Sequence, residues 1–281
     1  MEKKYDANVK YCNNCGNIGH TYKKCLHPIL SYGIIIYRKD PENVSEYQIL
    51  MIERKNSISY IEFLRGKYQN IYNIDYIRLL LSRFSNDEKQ EILLYPFDEL
   101  WKKLWIHTDT INHRIKMEYE KSKKMFESLQ RGIIIKNNSI TLRQLINEIN
   151  TSYLYNEWEI PKGRRKQYEN NRDCAIREFN EETNISPDHY KLINNIIPIT
   201  EEYKGINNVN YKHVYYLGEM IKDHKLEIDM DNREQYTEIK SIRWLKVSEL
   251  SMFIRDHDKL KQTIIERIFS FLKNKRGVYI H

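Results

Sequence analysis

The chain has 281 residues, of which 41% are hydrophobic and 30% charged, with a formal net charge of +7. This length suits one large domain or two modest ones with a substantial core. The apolar runs are only a few residues long, which excludes a segment that spans a bilayer. The first residues lack the apolar core of a signal peptide, so we expect an intracellular, cytoplasmic protein.

Three of the four cysteines lie near the N-terminus in the segment CNNCGNIGHTYKKC, with the spacing Cys-x2-Cys-x4-His-x4-Cys. The predicted ligands are Cys12, Cys15, His20 and Cys25. Three thiolates and one imidazole form the tetrahedral shell that structural Zn²⁺ prefers. So short a segment has no core of its own, and we therefore expect Zn²⁺ binding to supply its folding energy.

This segment resembles the CCHC zinc knuckle of nucleocapsid-type proteins, including a glycine, Gly19, before the histidine. Knuckles of that family hold single-stranded nucleic acid by stacking bases on exposed aromatic side chains. Asn13 occupies a position that is often aromatic in the family, which leaves Tyr11 and Tyr22 as candidates for RNA contacts. The resemblance thus predicts a knuckle over residues 1–28. A zinc-stapled cap on the main domain and a protein-binding knuckle are the alternatives.

The next part of the chain changes from strand-like to helical patterning. Tyr32–Tyr37 and Tyr47–Ile52 are rich in Ile and Tyr and flank the polar turn KDPEN, which predicts a β-hairpin. Residues from about 66 to 150 follow helical periods, with a possible capping box at Ser85 and Glu88. We interpret this block as a helical insertion between strands of one domain.

Basic residues are concentrated at the N-terminus and in the insertion. Residues 1–28 carry a net charge of +3, and residues 101–136 carry nine Lys or Arg against four acids. Such a surface suits a polyanion, although solubility alone could also explain the lysines. The predicted RNA contacts in the insertion are Lys116, Lys121, Lys123 and Lys124.

The most informative segment begins at Gly163 and fits the pattern Gly-x5-Glu-x7-Arg-Glu-apolar-x-Glu-Glu. Its last three acids, Glu178, Glu181 and Glu182, stand at i, i+3 and i+4, so a helix places their carboxylates on one face. Adjacent carboxylates repel each other unless a cation neutralises them. Mg²⁺ binds such oxygen ligands while sharing other positions with substrate phosphates.

The segment resembles the Nudix box, the signature of hydrolases that split a diphosphate linked to another moiety. The resemblance implies that Mg²⁺ or Mn²⁺ is bound by Glu178, Glu181 and Glu182, next to the backbone of Gly163. It also implies that Arg177 and Glu169 orient these ligands. The family usually has Gly where Asn184 stands, and Asn is the next best residue for a left-handed helix end. The alternative is a solvated acidic helix face.

The remaining patterns complete a predicted Nudix α/β/α sandwich with a mixed sheet over residues 29–281. Strands are predicted at Leu154–Ile160, Ile196–Thr200, Tyr211–Leu217 and Ser241–Leu245. A final amphipathic helix carries Leu260, Ile264, Ile268 and Leu272 at fourfold spacing, which indicates a face that packs on the core.

Features around the Nudix box narrow the range of possible substrates. Lys162 and Arg164 flank Gly163, where cations can hold phosphates. The segment Trp-x-x-Pro-Lys-Gly is similar to segments of mRNA-decapping Nudix enzymes. The segments SYIEFLRGKY, CAIREFNEET and YKHVYYL, together with the helical insertion, resemble the decapping Nudix hydrolases of large cytoplasmic DNA viruses, of the African swine fever virus type. This resemblance implies a cytoplasmic protein, in the host cytoplasm if it is viral. It would cleave the m⁷GpppN cap of mRNA to m⁷GDP and 5′-monophosphate RNA.

The same resemblance leaves the proton acceptor open. Glu182 is one candidate base, Glu238 matches a distal acid of decapping enzymes, and Glu234 is a weaker substitute. The 22 tyrosines and four tryptophans are too many to select a cap-binding pair. The alternatives to decapping are hydrolysis of diphosphoinositol or dinucleotide polyphosphates and non-catalytic RNA binding.

Overall fold

The computed structural model describes residues 10–105 and 113–274. They group into two compact units, the first combining residues up to 52 with those from 158 onward, and the second running from residue 53 to 157. The insertion predicted at about 66–150 lies within the second unit. The first nine residues of the predicted knuckle lie outside the described residues. No helix within the described ranges is long and apolar enough to cross a bilayer.

The described residues form ten strands and ten α-helices. The strands are β1 (Ile29–Lys39), β2 (Tyr47–Arg54), β3 (Ile133–Ile135), β4 (Asn138–Ile140), β5 (Trp158–Glu159), β6 (Lys162–Gly163), β7 (Tyr190–Leu192), β8 (Ile199–Lys204), β9 (Asn210–Met220) and β10 (Ile239–Lys246). The α-helices are α1 (Ile58–Leu64), α2 (Ile74–Leu81), α3 (Asn86–Leu94), α4 (Phe97–Leu104), α5 (His113–Arg131), α6 (Leu142–Asn147), α7 (Asn171–Thr183), α8 (Arg233–Glu238), α9 (Leu250–Phe253) and α10 (Lys259–Asn274).

A mixed sheet forms the centre of the first unit, as predicted. In the part of the chain that the structure describes, its main strand order is β10-β2-β1-β9-β7. β1 and β2 are antiparallel, with Tyr37 opposite Ile49, which confirms the predicted hairpin. β1 and β9 are parallel from the pair Ile29 and Tyr211 onward. Parallel neighbours need a crossover connection, and α7 lies within the chain that connects them.

Helix α7 buries one side of this sheet. The shared core contains Tyr32, Ile34, Ile36, Leu50 and Ile52 from the strands and Cys174, Ala175 and Phe179 from the helix. Each large apolar side chain buried here contributes about 1.5–3 kcal/mol. In α10, Ile264, Ile268 and Leu272 are buried, whereas Leu260 is 44% exposed. The predicted apolar stripe of α10 is therefore wrong at its first position, where the helix begins.

The strand predicted at Leu154–Ile160 is reduced to the two residues of β5. Leu154 is 71% exposed. The Asn156 side-chain amide donates to the carbonyls of Arg54 and Lys55, at 3.2 and 2.8 Å. This side chain satisfies backbone groups that a ladder would otherwise pair, so the strand does not extend toward residue 154.

The second unit contains α1 to α6 and the β3–β4 hairpin. The predicted capping box at the start of α3 is confirmed, because the Glu88 amide donates to Ser85 Oγ and the Ser85 amide donates to Glu88 Oε2. Glu88 also accepts from the Ser57 amide at 2.6 Å. Its burial raises the pKa of Glu88 to about 7. This carboxyl group links the start of α1 to the start of α3.

Candidate functional site

Side-chain and backbone caps set the length of α7, which carries the three glutamates of the Nudix box. At its start, Asn170 Oδ1 accepts from the Asp173 amide at 2.8 Å. At its end, Asn184 has φ 59° and donates its amide to the Asn180 carbonyl at 2.8 Å. The predicted left-handed helix end is therefore confirmed at Asn184.

Arg177 lies between the loop before α7 and the acidic face of the helix. Its Nε and Nη2 atoms donate to the two Glu169 oxygens, at 2.7 and 2.9 Å. Its Nη1 donates to both Glu178 Oε1 and Glu181 Oε2 at 2.7 Å, and Nη2 also donates to the Arg164 carbonyl at 3.0 Å. The bonds from Arg177 lower the pKa of Glu169. One guanidinium thus offsets the repulsion between neighbouring carboxylates.

Gly163 and Glu178 are in direct contact. A Cβ atom added at Gly163 would lie 2.1 Å from Glu178 Cδ, so any side chain there displaces the carboxylate. Burial raises the pKa of Glu178; Arg177 opposes this shift, while the charges of Glu181 and Glu238 add to it. The fold therefore brings Glu238, the predicted distal acid, into the electrostatic environment of the α7 glutamates.

The Glu182 side chain contacts the backbone of Lys162. The Glu182 side chain is buried, and its Oε2 accepts from the Lys162 amide at 2.8 Å. The Lys162 ammonium forms an ion pair with Glu159, whose side chain is only 5% exposed. Arg164 is exposed. Of the two cations predicted to hold phosphates, Arg164 thus reaches solvent, whereas Lys162 faces a buried carboxylate.

Two amide side chains attach α8 to the end of α7. Asn232 Nδ2 donates to the Glu181 carbonyl at 3.2 Å, and Gln235 Nε2 donates to the Glu182 carbonyl at 3.3 Å. Gln235 is fully buried. These bonds hold α8 where its last residue, Glu238, approaches the glutamates. The sequence reasoning did not identify Gln235, since a lone glutamine carries no pattern.

A polar cluster on β8 and β9 includes the buried residues Glu201, His213 and Tyr215, and the sequence reasoning missed it as well. His213 Nε2 lies 3.1 Å from the Tyr203 hydroxyl, and the Tyr215 hydroxyl donates to Glu201 at 2.9 Å. Burial lowers the pKa of His213 to about 3, and the nearby charge of Lys162 adds to the shift. The imidazole is therefore neutral at physiological pH.

The cysteine and histidine side chains of the N-terminal segment fit a zinc ion. Among the described residues, one cluster of at least three His, Cys, Asp or Glu has all its ligand atoms within 4.8 Å, namely Cys12, Cys15, His20 and Cys25. Cys15 Sγ lies 3.3 Å from His20 Nε2, close to the roughly 3.6 Å that separates such ligands on tetrahedral zinc. Burial opposes the shift, yet hydrogen bonds from Asn14 and His20 lower the pKa of Cys25 to about 6.

The predicted RNA-binding residues lie in different environments. Tyr22 is 42% exposed, whereas the Tyr11 ring packs against the Tyr168 ring at 4.9 Å. In α5 of the second unit, Lys123 forms an ion pair with Asp98 at 2.8 Å. The other predicted lysines, Lys116, Lys121 and Lys124, are exposed.

Comparison with known proteins gives a family and several viral relatives. Residues 132–268 match the NUDIX domain. The chain is 28% identical to a protein of Acanthamoeba polyphaga mimivirus named "Putative mRNA-decapping protein", over 96% of this chain and 97% of that one. It is 27% identical to the mRNA-decapping protein g5R of African swine fever virus (isolate Pig/Kenya/KEN-50/1950), over 87% of this chain and 96% of that one.

Among solved structures, a C. elegans Ap4A hydrolase is similar with 12% sequence identity and a TM-score of 0.42. The match covers 86% of this chain and 96% of that chain. This likeness is too distant to bear on the substrate.

Proposed function

Because residues 132–268 match the NUDIX domain, we propose that this chain is an mRNA-decapping hydrolase. The observation that carries the proposal is its similarity to viral proteins named for mRNA decapping along nearly their whole lengths. The reaction is hydrolysis of the m⁷GpppN cap, which releases m⁷GDP and leaves RNA with a 5′-monophosphate. Its place of action would be the cytoplasm.

Glu178, Glu181 and Glu182 are the proposed ligands of Mg²⁺ or Mn²⁺, with the Gly163 backbone beside them. A bound divalent ion would polarise phosphoryl oxygens and lower the pKa of the attacking water. Arg177 now holds two of these carboxylates, and metal binding would exchange part of those contacts. The cysteine cluster would hold a structural Zn²⁺.

Two glutamates remain candidates for the proton acceptor. Glu182 is buried and its Oε2 is held by the Lys162 amide, a geometry that supports its role as a metal ligand. Glu238 lies at the end of α8 and acts electrostatically on Glu178. We therefore favour Glu238 as the general base. Replacing Glu238 with Gln should remove the acidic limb of the pH–rate profile while Mn²⁺ affinity stays within a few-fold of wild type.

Three substrates test the proposed reaction: cap-labelled RNA, free cap dinucleotide and a diphosphoinositol polyphosphate, each with Mg²⁺ or Mn²⁺. We expect release of labelled m⁷GDP from capped RNA, and about a thousandfold slower release from the Glu182→Gln control. Hydrolysis of the diphosphoinositol polyphosphate alone would assign the site to compact polyanions. RNA binding without hydrolysis of any substrate would indicate a non-catalytic protein.

The exposed lysines of α5 support an RNA-binding surface outside the hydrolytic site. Replacing Lys116, Lys121 and Lys124 with Glu should weaken binding of long RNA. The slope of log affinity against log salt should become shallower by about 0.7 for each phosphate that is no longer neutralised. Turnover of cap dinucleotide should stay unchanged. A matched variant reverses three exposed lysines elsewhere, Lys191, Lys204 and Lys273. An equal decrease of RNA affinity in both variants would indicate only a general charge effect.

A further inference from the structure

The N-terminal knuckle contacts the loop that leads from β6 into α7. The clearest contact is Arg165, whose side chain is buried and whose Nη2 donates to the Asn14 carbonyl at 2.9 Å. A Cβ atom added at Gly16 would lie 2.3 Å from Arg165 Nη1, and Gly16 has φ +80°. The knuckle backbone therefore forms a close-fitting cradle for the guanidinium, which only glycine at this position permits.

A second contact lies at the other end of the same loop. The rings of Tyr11 and Tyr168 are 4.9 Å apart at an angle of 44°. Tyr168 has φ 64°, a left-handed conformation that is strained for a residue with a side chain. Tyr11 also forms a β-bridge with Ile18 across the knuckle. The knuckle thus touches the loop immediately before Glu169, at a residue whose backbone conformation needs support.

On its opposite side the loop is held by Arg177. This guanidinium bonds to the Arg164 carbonyl and to both oxygens of Glu169, so it contacts both ends of residues 164–169. The same guanidinium contacts Glu178 and Glu181. A continuous set of contacts therefore runs from the knuckle, through the loop and Arg177, to two of the three proposed metal ligands.

The position of the Arg165 acceptor depends on the cysteine cluster. The Asn14 side chain donates to the Pro28 carbonyl at 2.8 Å and to Cys25 Sγ at 3.2 Å, and it accepts from the Leu30 amide at 2.8 Å. Asn14 thus joins the cluster to the first strand of the sheet. Because this segment has too little apolar surface to fold alone, loss of the metal would release the acceptor carbonyl.

We propose that the zinc-loaded knuckle positions residues 164–169 and, through Arg177, the glutamates that bind the catalytic metal. Arg165 and Tyr168 are positioning residues in this arrangement. The inference rests on the proposed hydrolase function and extends it. It requires that the knuckle act on kcat for a substrate too short to reach a separate RNA surface. A knuckle that only grips RNA would instead raise KM on long RNA alone.

The test uses the full-length protein with Arg165→Met, which keeps an unbranched apolar stem and removes the donors. On cap dinucleotide we expect kcat to fall about tenfold to a hundredfold, with little change in KM. Mn²⁺ affinity, measured by electron paramagnetic resonance without substrate, should weaken while zinc content stays at one per chain. The control is Lys24→Met, which removes one exposed positive charge from the same knuckle and should change none of these quantities.

Two further variants keep the test decisive if Arg165→Met folds poorly. Tyr11→Leu removes the ring that packs on Tyr168, and Arg165→Lys retains one donor for the Asn14 carbonyl. Both should show intermediate losses of kcat with unchanged melting temperature. Unchanged kcat and Mn²⁺ affinity in a zinc-loaded Arg165→Met protein would overturn the inference. If wild type hydrolyses neither capped RNA nor cap dinucleotide, the proposed function fails, whereas the Mn²⁺ measurement still tests the coupling.

Discussion

The two candidate metal sites of the first unit differ in how closely their ligands are assembled. The ligand atoms of the cysteine cluster all lie within 4.8 Å of one another, among turns that contain Gly16 and Gly19 at positive φ. The α7 glutamates are held apart: Glu178 and Glu181 bond to Arg177, and Glu182 bonds to the Lys162 amide. The first arrangement suits a metal that builds structure, and the second suits one that shares its coordination with a substrate.

The difference follows from charge and local geometry. Thiols pack together as small apolar groups, and short turns bring them to one point. Three carboxylates on one helix face repel each other, so a neighbouring guanidinium and a backbone amide stabilise them separately. Metal binding at the glutamates would therefore exchange contacts within a folded protein. Metal binding at the cysteines would supply the folding energy of a segment.

The largest expected effect comes from Glu182→Gln. The substitution keeps an oxygen that can accept from the Lys162 amide, so the fold and zinc content should not change. It removes one charged ligand, and we expect cap hydrolysis to fall on the order of a thousandfold. Release of m⁷GDP measures activity, and thermal unfolding measures the fold. Near wild-type turnover would show that Glu182 does not bind the catalytic metal.

Two glycine substitutions test the α7 glutamates and the cysteine cluster separately. In Gly163→Ala the new Cβ displaces the flexible end of Glu178, so kcat should fall about a hundredfold while melting temperature and zinc content persist. In Gly16→Ala the residue is strained by φ +80° and displaces Arg165, so the knuckle should lose about 1–2 kcal/mol of stability. Zinc release to a competing chelator distinguishes them. Equal zinc loss from both variants would contradict this separation.

Local patterns predicted much of this arrangement. The Cys and His spacing identified the cluster, because short turns determine where ligands three to five residues apart can meet. The i, i+3, i+4 spacing identified the acidic face of α7. The cap at Asn184 followed from the backbone conformation that a helix end requires. The β1–β2 hairpin followed from runs rich in Ile and Tyr around a polar turn, and the mixed sheet followed from the apolar strands on both sides of α7.

Contacts between distant segments were not predictable in the same way. Arg164 and Arg165 are adjacent and chemically identical, yet Arg164 is exposed while Arg165 is buried against the knuckle. Tyr11 is a candidate RNA contact, and its ring packs against Tyr168, a contact that the sequence did not predict. Neither contact could be predicted from hydrophobic periodicity or from residue spacing. Each depends on how two segments far apart in the chain pack together.

Acidification should also affect metal binding at the two sites differently. Burial raises the pKa of Glu178 above its ordinary value of 4.5, and a metal ligand must be ionised. Mn²⁺ affinity should therefore be full above this raised pKa and decline as the pH falls through it, by up to about tenfold per pH unit. Paramagnetic resonance between about pH 8 and pH 5 measures the affinity.

Zinc content provides the internal control for this titration. Structural Zn²⁺ in zinc-finger peptides is held by about 10–16 kcal/mol at neutral pH. Protonation of the thiolates lowers this affinity, but it is large enough that zinc should stay bound while Mn²⁺ affinity declines. Parallel loss of both metals would mean that zinc is not held more firmly than Mn²⁺ on acidification. Mn²⁺ affinity that does not change with pH would show that Glu178 is not a ligand.

The smallest expected effect concerns the end of α7, where Asn184 has φ 59° and donates to Asp229 at 3.2 Å. Asn184→Ala and Asn184→Gly both remove that exposed hydrogen bond, so their difference isolates the backbone conformation. Ala should be less stable than Gly by about 1 kcal/mol, because only Gly adopts a left-handed φ without strain. Urea unfolding measures this difference. Neither variant should change zinc content, since this helix end belongs to α7, which carries the glutamates, and not to the knuckle. Equal stability of the two variants would mean that α7 ends by fraying, so that its last turn, with Glu181 and Glu182, does not depend on this cap.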